Sequence, residues 1–334
     1  MSKAKPTIYD VARVAGVSRS TVSRVINNVP GASPPIRTRV LTVAAELGYH
    51  PSETARALAT GRLRTIDLIA VTYGPSIGWL GVHPYYSRVL AGVMSVLEGA
   101  DTQLRIHALG ANVAAEKIDA LADGATAGAI LANVTPELAG RFYRRCRRTV
   151  SLVPTAAAVP TLEADNIDGA HAAVAYLYKL GRRRIAAIHG PEINTCAIDR
   201  RVGYRDAVRQ FGQPDISADG GFDRQGGQDA ALELLAQHPE IDAMFVACDL
   251  MGAGAVQAIT STGRRVPDDV SIVGFDDSIA ATCANPPLTT MRLPVEQMAA
   301  EAARMLLDEP PARGYRKRFP VELIPRASTT EPAA

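Results

Sequence analysis

The side chains best suited to chemistry lie in the stretch TIYDVARVAGVSRSTVSRVIN, residues 7–27. Arg19, Ser20, Ser23, Arg24 and Asn27 occupy the face of a predicted helix that its apolar residues leave free. Long cationic, hydroxyl and amide side chains of this kind contact phosphates and the edges of bases. The stretch therefore predicts a surface that reads nucleic acid.

Two short helices and a turn must position these side chains. The first helix is predicted to bury a stripe of residues at helical spacing: Ile8, Val11, Ala12 and Ala15. Gly16 gives the turn its conformational freedom, and Ser18 is expected to cap the second helix. The second helix is predicted to point Val22, Val25 and Ile26 inward. Ser33, Pro34 and Pro35 then open a third helix that is expected to stop at Gly48.

Three motifs in this stretch, YDVA, AGVS and TVSRVIN, resemble the N-terminal signature of the lac-repressor (LacI/GalR) family of bacterial transcription regulators. The resemblance implies that the second helix enters the major groove of DNA, where Arg19, Ser20 and Arg24 contact bases. It also implies further DNA contacts, mainly to phosphates, from the residues at matching positions: Thr7, Tyr9, Ser18, Thr21, Asn27, Ser33 and Arg37. From composition alone, a structural three-helix cap with incidental arginines is the alternative.

A short segment, SETARALATG at residues 52–61, follows the three predicted helices. It is compatible with a helix but lacks the apolar surface to fold alone. The resemblance implies a hinge that becomes helical when paired with its dimer mate on DNA, with Leu58 wedged into the minor groove. Such a wedge unstacks bases, and contacts with the bent DNA offset this cost. Without the neighbouring motifs, an exposed leucine on an ordinary linker would be an equally good interpretation of Leu58.

The charge distribution supports a nucleic-acid partner for the N-terminal region. Residues 1–65 hold ten Lys and Arg residues against three acidic residues, whereas the whole chain of 334 residues has a net charge of only +2. The remainder is therefore acidic. A basic head on an acidic body concentrates affinity for a polyanion at one end of the molecule.

The overall composition is that of a globular protein, with 47% hydrophobic and 21% charged residues. No apolar run approaches the length of a membrane span, and the segment MSKAKPTIYD lacks the apolar region of a signal peptide. The four cysteines are widely spaced and form no metal-binding pattern. We therefore expect a cytoplasmic protein with reduced thiols and with no metal or cofactor.

From Arg64 onward, short apolar strands alternate with amphipathic helices. The predicted buried parallel strands are TIDLIAV, AGAILAN, RRIAAIHG, AMFVACD and VSIVGFDD, and the predicted helices include YSRVLAGVMSVLEG, GAHAAVAYLYKLG and GYRDAVRQFG. The pattern predicts a doubly wound α/β body large enough for two lobes, and the segment VSLVPTAAAVPTLEADN is expected to cross between them. The resemblance implies a body like the periplasmic sugar-binding proteins, with an effector between the lobes.

Several residues are expected at this cleft, because ligands bind beyond the carboxyl ends of parallel strands. By resemblance, Arg200 grips the effector and Asp276 accepts hydrogen bonds from its hydroxyl or amine groups. The other expected effector-binding residues are Tyr85, Tyr86, Asn194, Phe222 and Asp249. At helical spacing, the paired tyrosines could equally belong to the core.

The sequence departs from the family pattern in two places. Many sugar-responding relatives carry an Asn-Asp pair where this chain has Cys248-Asp249, and a thiol lacks the donor and acceptor of the amide. The loop from Tyr73 to His83 is longer than usual and carries the only tryptophan, Trp79. Trp79 is expected either to cover the effector as a lid or to pack at a dimer face.

Enzyme motifs are poorly supported. The sequence Met251-Gly252-Ala253-Gly254 imitates the start of a dinucleotide-binding loop, but Gln257 stands where the third glycine belongs. The run from Arg141 to Arg148 could be a second nucleic-acid patch, although a solvated helix end is the better interpretation.

Together these patterns and the family resemblance predict an all-α helix-turn-helix domain (residues 1–51), a hinge helix and linker (52–63), and a two-lobed α/β effector-binding and dimerisation domain (64–334). The first lobe is expected at about 64–163 and 294–320, and the second at about 164–293 and 321–330. The expected function is that of a homodimeric repressor of a carbohydrate operon, which binds a near-palindromic operator and responds to a small-molecule effector, a sugar or sugar derivative. The alternative is a cytoplasmic sugar-binding or sugar-modifying protein with a vestigial head.

Overall fold

The computed structural model describes residues 6–26, 30–47, 49, 65–73, 79–100 and 102–330. The chain divides into two compact units, Met1–Arg64 and Thr65–Ala334. Each unit has its own hydrophobic core, as expected of a separate domain.

The described part of the N-terminal unit contains three helices: α1 (Ile8–Ala15), α2 (Arg19–Ile26) and α3 (Pro34–Leu47). α1 begins with a capping box formed by Thr7 and Asp10, and it ends at Gly16, whose φ of 63° lies in the left-handed region. The buried hydrophobic residues of this unit come from all three helices: Val11, Ala12, Ala15, Val22, Val25, Val40, Val43 and Ala44. The predicted inward stripes are therefore present, although Ile8 and Ile26 are only half-buried.

The first sheet of the larger unit contains β1 (Thr65–Thr72), β2 (Gln103–Gly110), β3 (Gly128–Ala132), β4 (Thr149–Ser151), β5 (Thr161–Ala164) and β11 (Arg316–Phe319). All its pairings are parallel, in the order β11-β5-β4-β3-β1-β2. The helices that accompany it are α4 (Trp79–Val82), α5 (Pro84–Leu97), α6 (Ala115–Gly124), α7 (Pro136–Arg145) and α13 (Val295–Leu307). This sheet and these helices are called the first lobe.

The second sheet contains β6 (Ile185–His189), β7 (Ser217–Asp219), β8 (Ala243–Val246), β9 (Ser271–Asp276), β10 (Thr289–Arg292) and β12 (Glu322–Ile324). Its order is β12-β10-β9-β8-β6-β7, and only β12 runs antiparallel to its neighbour. Its helices are α8 (Asn166–Lys179), α9 (Thr195–Gln210), α10 (Arg224–Gln237), α11 (Asp249–Ser261) and α12 (Ile279–Cys283). This second lobe repeats the architecture of the first.

Helices cover both faces of each sheet, which explains the continuous apolar strands. In β1, Ile66 and Leu68 contact a cluster that includes residues of α5 and α13, whereas Ile69 and Val71 contact a cluster that includes residues of α6 and α7. α5 and α13 approach so closely that a methyl group at Gly92 would overlap the carbonyl oxygen of Glu296. The prediction of a doubly wound α/β body is confirmed. Its parallel strands are buried on both faces, so polar and apolar residues do not alternate along them.

The chain passes between the lobes three times: after β5, after β10, and between β11 and β12. The segment 150–166, expected to be a crossing, instead contributes β5 and part of β4 to the first sheet. Its prolines interrupt the apolar pattern, but Leu152, Val159 and Leu162 are buried. The crossing itself therefore comes only at the end of this segment, where α8 begins.

Candidate functional site

α2 presents the face that the sequence predicts to read nucleic acid. Arg19, Ser20 and Arg24 are exposed, and Val22 and Val25 on the other side are buried. The Ser18 hydroxyl accepts a hydrogen bond from the Thr21 amide at 3.1 Å and so caps the helix, as expected. It also contacts the hydroxyls of Ser20 and Thr21 at 2.7 and 2.9 Å. The start of α2 is therefore a cluster of hydroxyl groups beside exposed guanidinium groups.

Arg19 is held against Tyr9 of α1. Its Nη1 donates to the Tyr9 hydroxyl at 2.8 Å, and its guanidinium carbon lies 5.6 Å from the centre of the tyrosine ring. Tyr9 is itself 63% exposed. A base-reading candidate and a phosphate-binding candidate thus share one exposed surface, with the flexible arginine partly pre-oriented by the aromatic ring.

The other expected DNA contacts are placed less uniformly. The Thr7 hydroxyl bonds the Asp10 carboxylate at 2.7 Å within the capping box of α1. Ser33 precedes α3, and its carbonyl accepts from the Arg37 amide at 2.9 Å. Asn27 and Leu58 lie outside the described residues.

A cavity of about 730 Å³ of empty space, partly open to solvent, lies between the two lobes of the larger unit. Six of the seven expected effector-binding residues line it: Tyr85, Tyr86, Asn194, Arg200, Phe222 and Asp276. Its remaining walls are largely apolar and include Leu152, Val153, Leu293, Val295 and Met298. Apolar walls with a few convergent polar groups are typical of small-molecule sites.

Arg200 and Asp276 form the polar centre of the cavity. Arg200 Nη1 lies 3.4 Å from Asp276 Oδ1, and both side chains are almost fully buried. Arg200 Nε donates to Asn166 Oδ1 at 2.8 Å, Nη1 also donates to the Ala247 carbonyl, and the guanidinium stacks over Phe275 at 3.9 Å. A fixed guanidinium beside a carboxylate can pair with the adjacent hydroxyls of a diol.

Asp249, the seventh expected residue, is fully buried and is not among the described residues that line the cavity. Its carboxylate accepts from the Ser278 amide at 2.7 Å and from the Thr290 hydroxyl. Burial, together with the neighbouring Asp276, raises the pKa of Asp249. The preceding residue, Cys248, takes the place on the cavity wall.

Tyr86 is both a wall of the cavity and part of the core. Its hydroxyl donates to the Val71 carbonyl and accepts from Asn133 Nδ2 at 3.0 Å. Asn133 is also bound through its carbonyl by the Tyr73 hydroxyl at 2.8 Å, and its Oδ1 accepts from Asn194 Nδ2 at 3.3 Å. Since Asn133 belongs to the first lobe and Asn194 to the second, the two amides join the lobes at the cavity.

Sequence reasoning missed five polar residues that line the cavity: Tyr73, His83, Asn133, Asn166 and Cys196. Cys196 precedes Arg200 by one helical turn on α9, so helix periodicity could have identified it. His83 caps the start of α5 and accepts from the Tyr85 amide at 3.2 Å. Burial lowers the pKa of His83 to about 4, so the ring is neutral at pH 7. Residues 74–78 and the side chain of Trp79 lie outside the described residues, and the proposal of a lid stays a prediction.

Three cavity residues adopt left-handed backbone conformations without being glycine. The φ angles are 59° for Asn133, 67° for Phe222 and 113° for Asp276. Such conformations cost about 1 to 3 kcal/mol each and concentrate at functional sites. The cavity is thus the place where the fold stores backbone strain.

The other candidate patterns have structural explanations. Gly252 and Gly254 lie inside α11 rather than in a phosphate-binding turn, and a methyl group at Gly254 would overlap the Arg224 carbonyl oxygen. Arg141 forms a bidentate pair with Asp119 at 2.6 and 2.7 Å, and Arg145 bonds Asp119 and Asp123. Acidic partners on α6 therefore pair with two of the five arginines in this run.

In the described part of the chain, no helix is both long and apolar enough to cross a membrane. Two family models match the sequence. The model described as bacterial regulatory proteins, lacI family, matches residues 7–52, and the periplasmic binding protein-like domain matches residues 174–329.

Relatives match along nearly the whole chain. The HTH-type transcriptional regulator CelR of Thermobifida fusca is 36% identical over 316 residues, which cover 91% of this chain and 92% of the relative. A solved complex of the transcriptional regulator CelR with cellobiose is 32% identical, with a TM-score of 0.72 over 97% of this chain and 99% of the other. The lac repressor dimer bound to operator and the anti-inducer ONPF is 26% identical, with a TM-score of 0.75 over 98% of this chain and 100% of the other. These relatives are transcription regulators, and the chain belongs to the LacI family of bacterial DNA-binding regulators.

Proposed function

We propose that this protein represses a carbohydrate-utilisation operon and that a sugar bound between the lobes switches its affinity for the operator. The observation that carries the proposal is the cavity centred on Arg200 and Asp276, whose fixed donors and acceptor suit a polyhydroxylated ligand. Because the solved CelR complex contains cellobiose, we propose cellobiose or a similar disaccharide as the first ligand to test.

The proposed effector-binding residues are those expected from the sequence that line the cavity, extended by the contacts seen there. Arg200 and Asp276 hold the sugar hydroxyls, and Tyr85 and Phe222 bound its rings. Asn133 and Asn194 then close the two lobes over it. Asp249 keeps a supporting role behind the wall, and no residue of the cavity is assigned a catalytic role.

In the proposed DNA complex, the protein is a cytoplasmic homodimer on a near-palindromic operator, since two-fold symmetry presents one α2 to each half-site. Arg19, Ser20 and Arg24 contact bases, and Leu58 of the hinge at residues 52–63 enters the minor groove. Effector binding changes the angle between the lobes and thereby the spacing of the two hinges.

A pair of variants tests this proposal in the full-length chain. DNA selected from a random library should contain a near-palindrome, and cellobiose should change the affinity for it at least tenfold. Arg200→Ala should abolish cellobiose binding in calorimetry and preserve operator affinity. A double variant, Arg19→Ala with Arg24→Ala, should do the reverse.

The alternative, a sugar-binding protein with a vestigial head, predicts a different result. Cellobiose would bind, but the wild-type chain would select no DNA sequence, and the head variants would change nothing. That outcome would remove the repressor proposal while leaving the cavity assignment intact.

A further inference from the structure

Arg88 of α5 connects the two lobes through its guanidinium group. Within the first lobe it forms a bidentate pair with Glu296 of α13, with Nε–Oε1 and Nη2–Oε2 distances of 2.6 and 2.7 Å. In the other direction, Nη1 donates to the Asp276 carbonyl at 2.6 Å and Nη2 to the Leu293 carbonyl at 2.7 Å. Its side chain is only 17% exposed, and it is not among the described residues that line the cavity.

The carbonyl that Arg88 binds belongs to the most strained turn of the second lobe. Asp276 and Asp277 are consecutive non-glycine residues with φ angles of 113° and 56°. Within the second lobe, Asp249 binds the Ser278 amide at 2.7 Å, and Arg292 binds the Asp277 carboxylate at 2.7 Å. The turn is thus held by hydrogen bonds from its own lobe and, from the first lobe, by Arg88.

The pair with Glu296 fixes where Arg88 points. Partial burial raises the pKa of the Glu296 carboxyl, but the hydrogen bonds that the carboxylate accepts and the nearby charge of Arg88 together lower it by more. The net pKa is lowered, so the pair stays ionised. The close contact of α5 and α13 at Gly92 fixes the two helices that carry the pair. A guanidinium group can satisfy a carboxylate and two carbonyls at once because its donors are arranged in a planar fork, which an ammonium group lacks.

α5 makes a second contact of the same kind. His83 at its start hydrogen-bonds the backbone of Phe222, another cavity residue with a left-handed φ of 67°. One helix of the first lobe therefore binds the backbone of two strained, cavity-lining residues of the second.

We propose that Arg88 is a positioning residue that couples closure of the lobes to the conformation of the Asp276 turn. When the lobes meet, Arg88 binds the Asp276 carbonyl and holds the carboxylate toward Arg200 and the cavity. When they separate, the turn loses this support. The coupling to a sugar rests on the proposed function, whereas the effect of Arg88 on the turn does not.

Hydrogen exchange of the full-length protein without ligand tests the turn directly. Arg88→Lys should accelerate exchange of the segment 276–278 at least tenfold while leaving α5 and α13 protected, and Glu296→Gln should give a smaller acceleration. The matched control is Arg105→Lys, because Arg105 forms a bidentate pair with Asp67 inside the first lobe, at 2.6 and 3.0 Å. It should leave 276–278 unchanged.

Unchanged exchange at 276–278 in Arg88→Lys would overturn the proposal. So would a general acceleration through α5 and α13, which would show that Arg88 only stabilises the first lobe. A second measurement uses cellobiose as the probe, and Arg88→Lys should weaken its binding about tenfold. If the wild type does not bind cellobiose, the proposed effector is wrong, but the exchange experiment still decides the role of Arg88.

Discussion

Arg200 is fixed by its own lobe through Asn166, the Ala247 carbonyl and the ring of Phe275. In the proposed effector complex, the ligand would therefore meet a guanidinium group that has already lost its conformational freedom, which would reduce the entropic cost of binding. Arg19 differs, because it is held by the exposed Tyr9 and remains accessible at the surface. Single residues at the two sites thus differ in how far they are pre-organised.

Arg19→Ala should weaken operator binding by about 1 to 3 kcal/mol and relax the preference at one base pair, because a bidentate contact to a base carries sequence information. Fluorescence anisotropy with the selected operator and its single-base variants measures this. Arg13→Ala is the matched control, since Arg13 is an exposed arginine of α1 paired with Asp10 at 3.2 Å. Equal weakening on every sequence would make Arg19 a phosphate contact instead.

His189 should make the stability of the body depend on pH. Its ring is fully buried, neither nitrogen has a hydrogen-bond partner among the described residues, and burial lowers its pKa to about 3. Near pH 6.5 the imidazole takes up a proton in the unfolded chain but not in the folded chain. Protonation of the unfolded chain lowers the free energy of unfolding, so the stability linked to His189 is fully present above pH 6.5 and is lost as the pH falls toward 3.

Replacing His189 by Leu should therefore flatten the fall in the free energy of unfolding between pH 6 and 4, by up to about 1.4 kcal/mol per pH unit. Urea unfolding at a series of pH values measures this slope. The control is His171→Leu, which removes a half-buried imidazole bonded to the neutral side chain of Gln210 and should leave the slope unchanged. A slope equal to that of the wild type would show that His189 titrates normally in the folded protein.

For the secondary-structure elements, the sequence predicts which segments form helices and strands better than it predicts which elements pack against one another. The five predicted strands all form, because parallel strands covered on both faces are continuous apolar runs. β4 and β5 were obscured by the prolines of the segment 150–166, and the short edge strands β7, β11 and β12 carry little apolar signal. These strands are recognised only through their hydrogen-bonded pairing with neighbouring strands, which the periodicity of the sequence does not show.

The cavity shows the same limit. Arg200 and Asp276 were found through family motifs, whereas Asn133 was not, because its role depends on a left-handed φ at the end of β3 and on Asn194 from the other lobe. Asp249 was expected to line the cavity, but only Cys248 does so, because the Asp249 carboxylate at the start of α11 instead accepts from the Ser278 amide and the Thr290 hydroxyl. A pattern of neighbouring residues in the sequence cannot predict a contact between residues of different lobes.

The packing of α5 on α13 gives a prediction about elements. Gly92→Ala should destabilise the body by about 1 to 3 kcal/mol, because the new methyl group would overlap the Glu296 carbonyl and the helices would have to separate. Gly124→Ala is the control, since a methyl group added there, at the end of α6, would have no atom within 4 Å. Chemical denaturation compares the two, and equal stabilities would mean that α5 and α13 can move apart freely.

At the scale of the molecule, two compact units with separate cores should respond separately to ligand. Cellobiose at about one hundred times its dissociation constant should stabilise the larger unit by about 2.7 kcal/mol and leave the N-terminal unit unaffected. Differential scanning calorimetry of the full-length chain should show a shift of one transition only. Arg200→Ala should remove that shift, and a shift that survives in this variant would place the ligand elsewhere.

The three passages between the lobes determine how the protein can be recombined with its relatives. Neither lobe is encoded by one continuous stretch, because β11 returns to the first sheet and β12 to the second after both lobes have been largely built. A chimera that takes its second lobe from another regulator therefore needs three junctions, after β5, after β10 and between β11 and β12. A single-junction exchange would leave at least one sheet divided between the two parents.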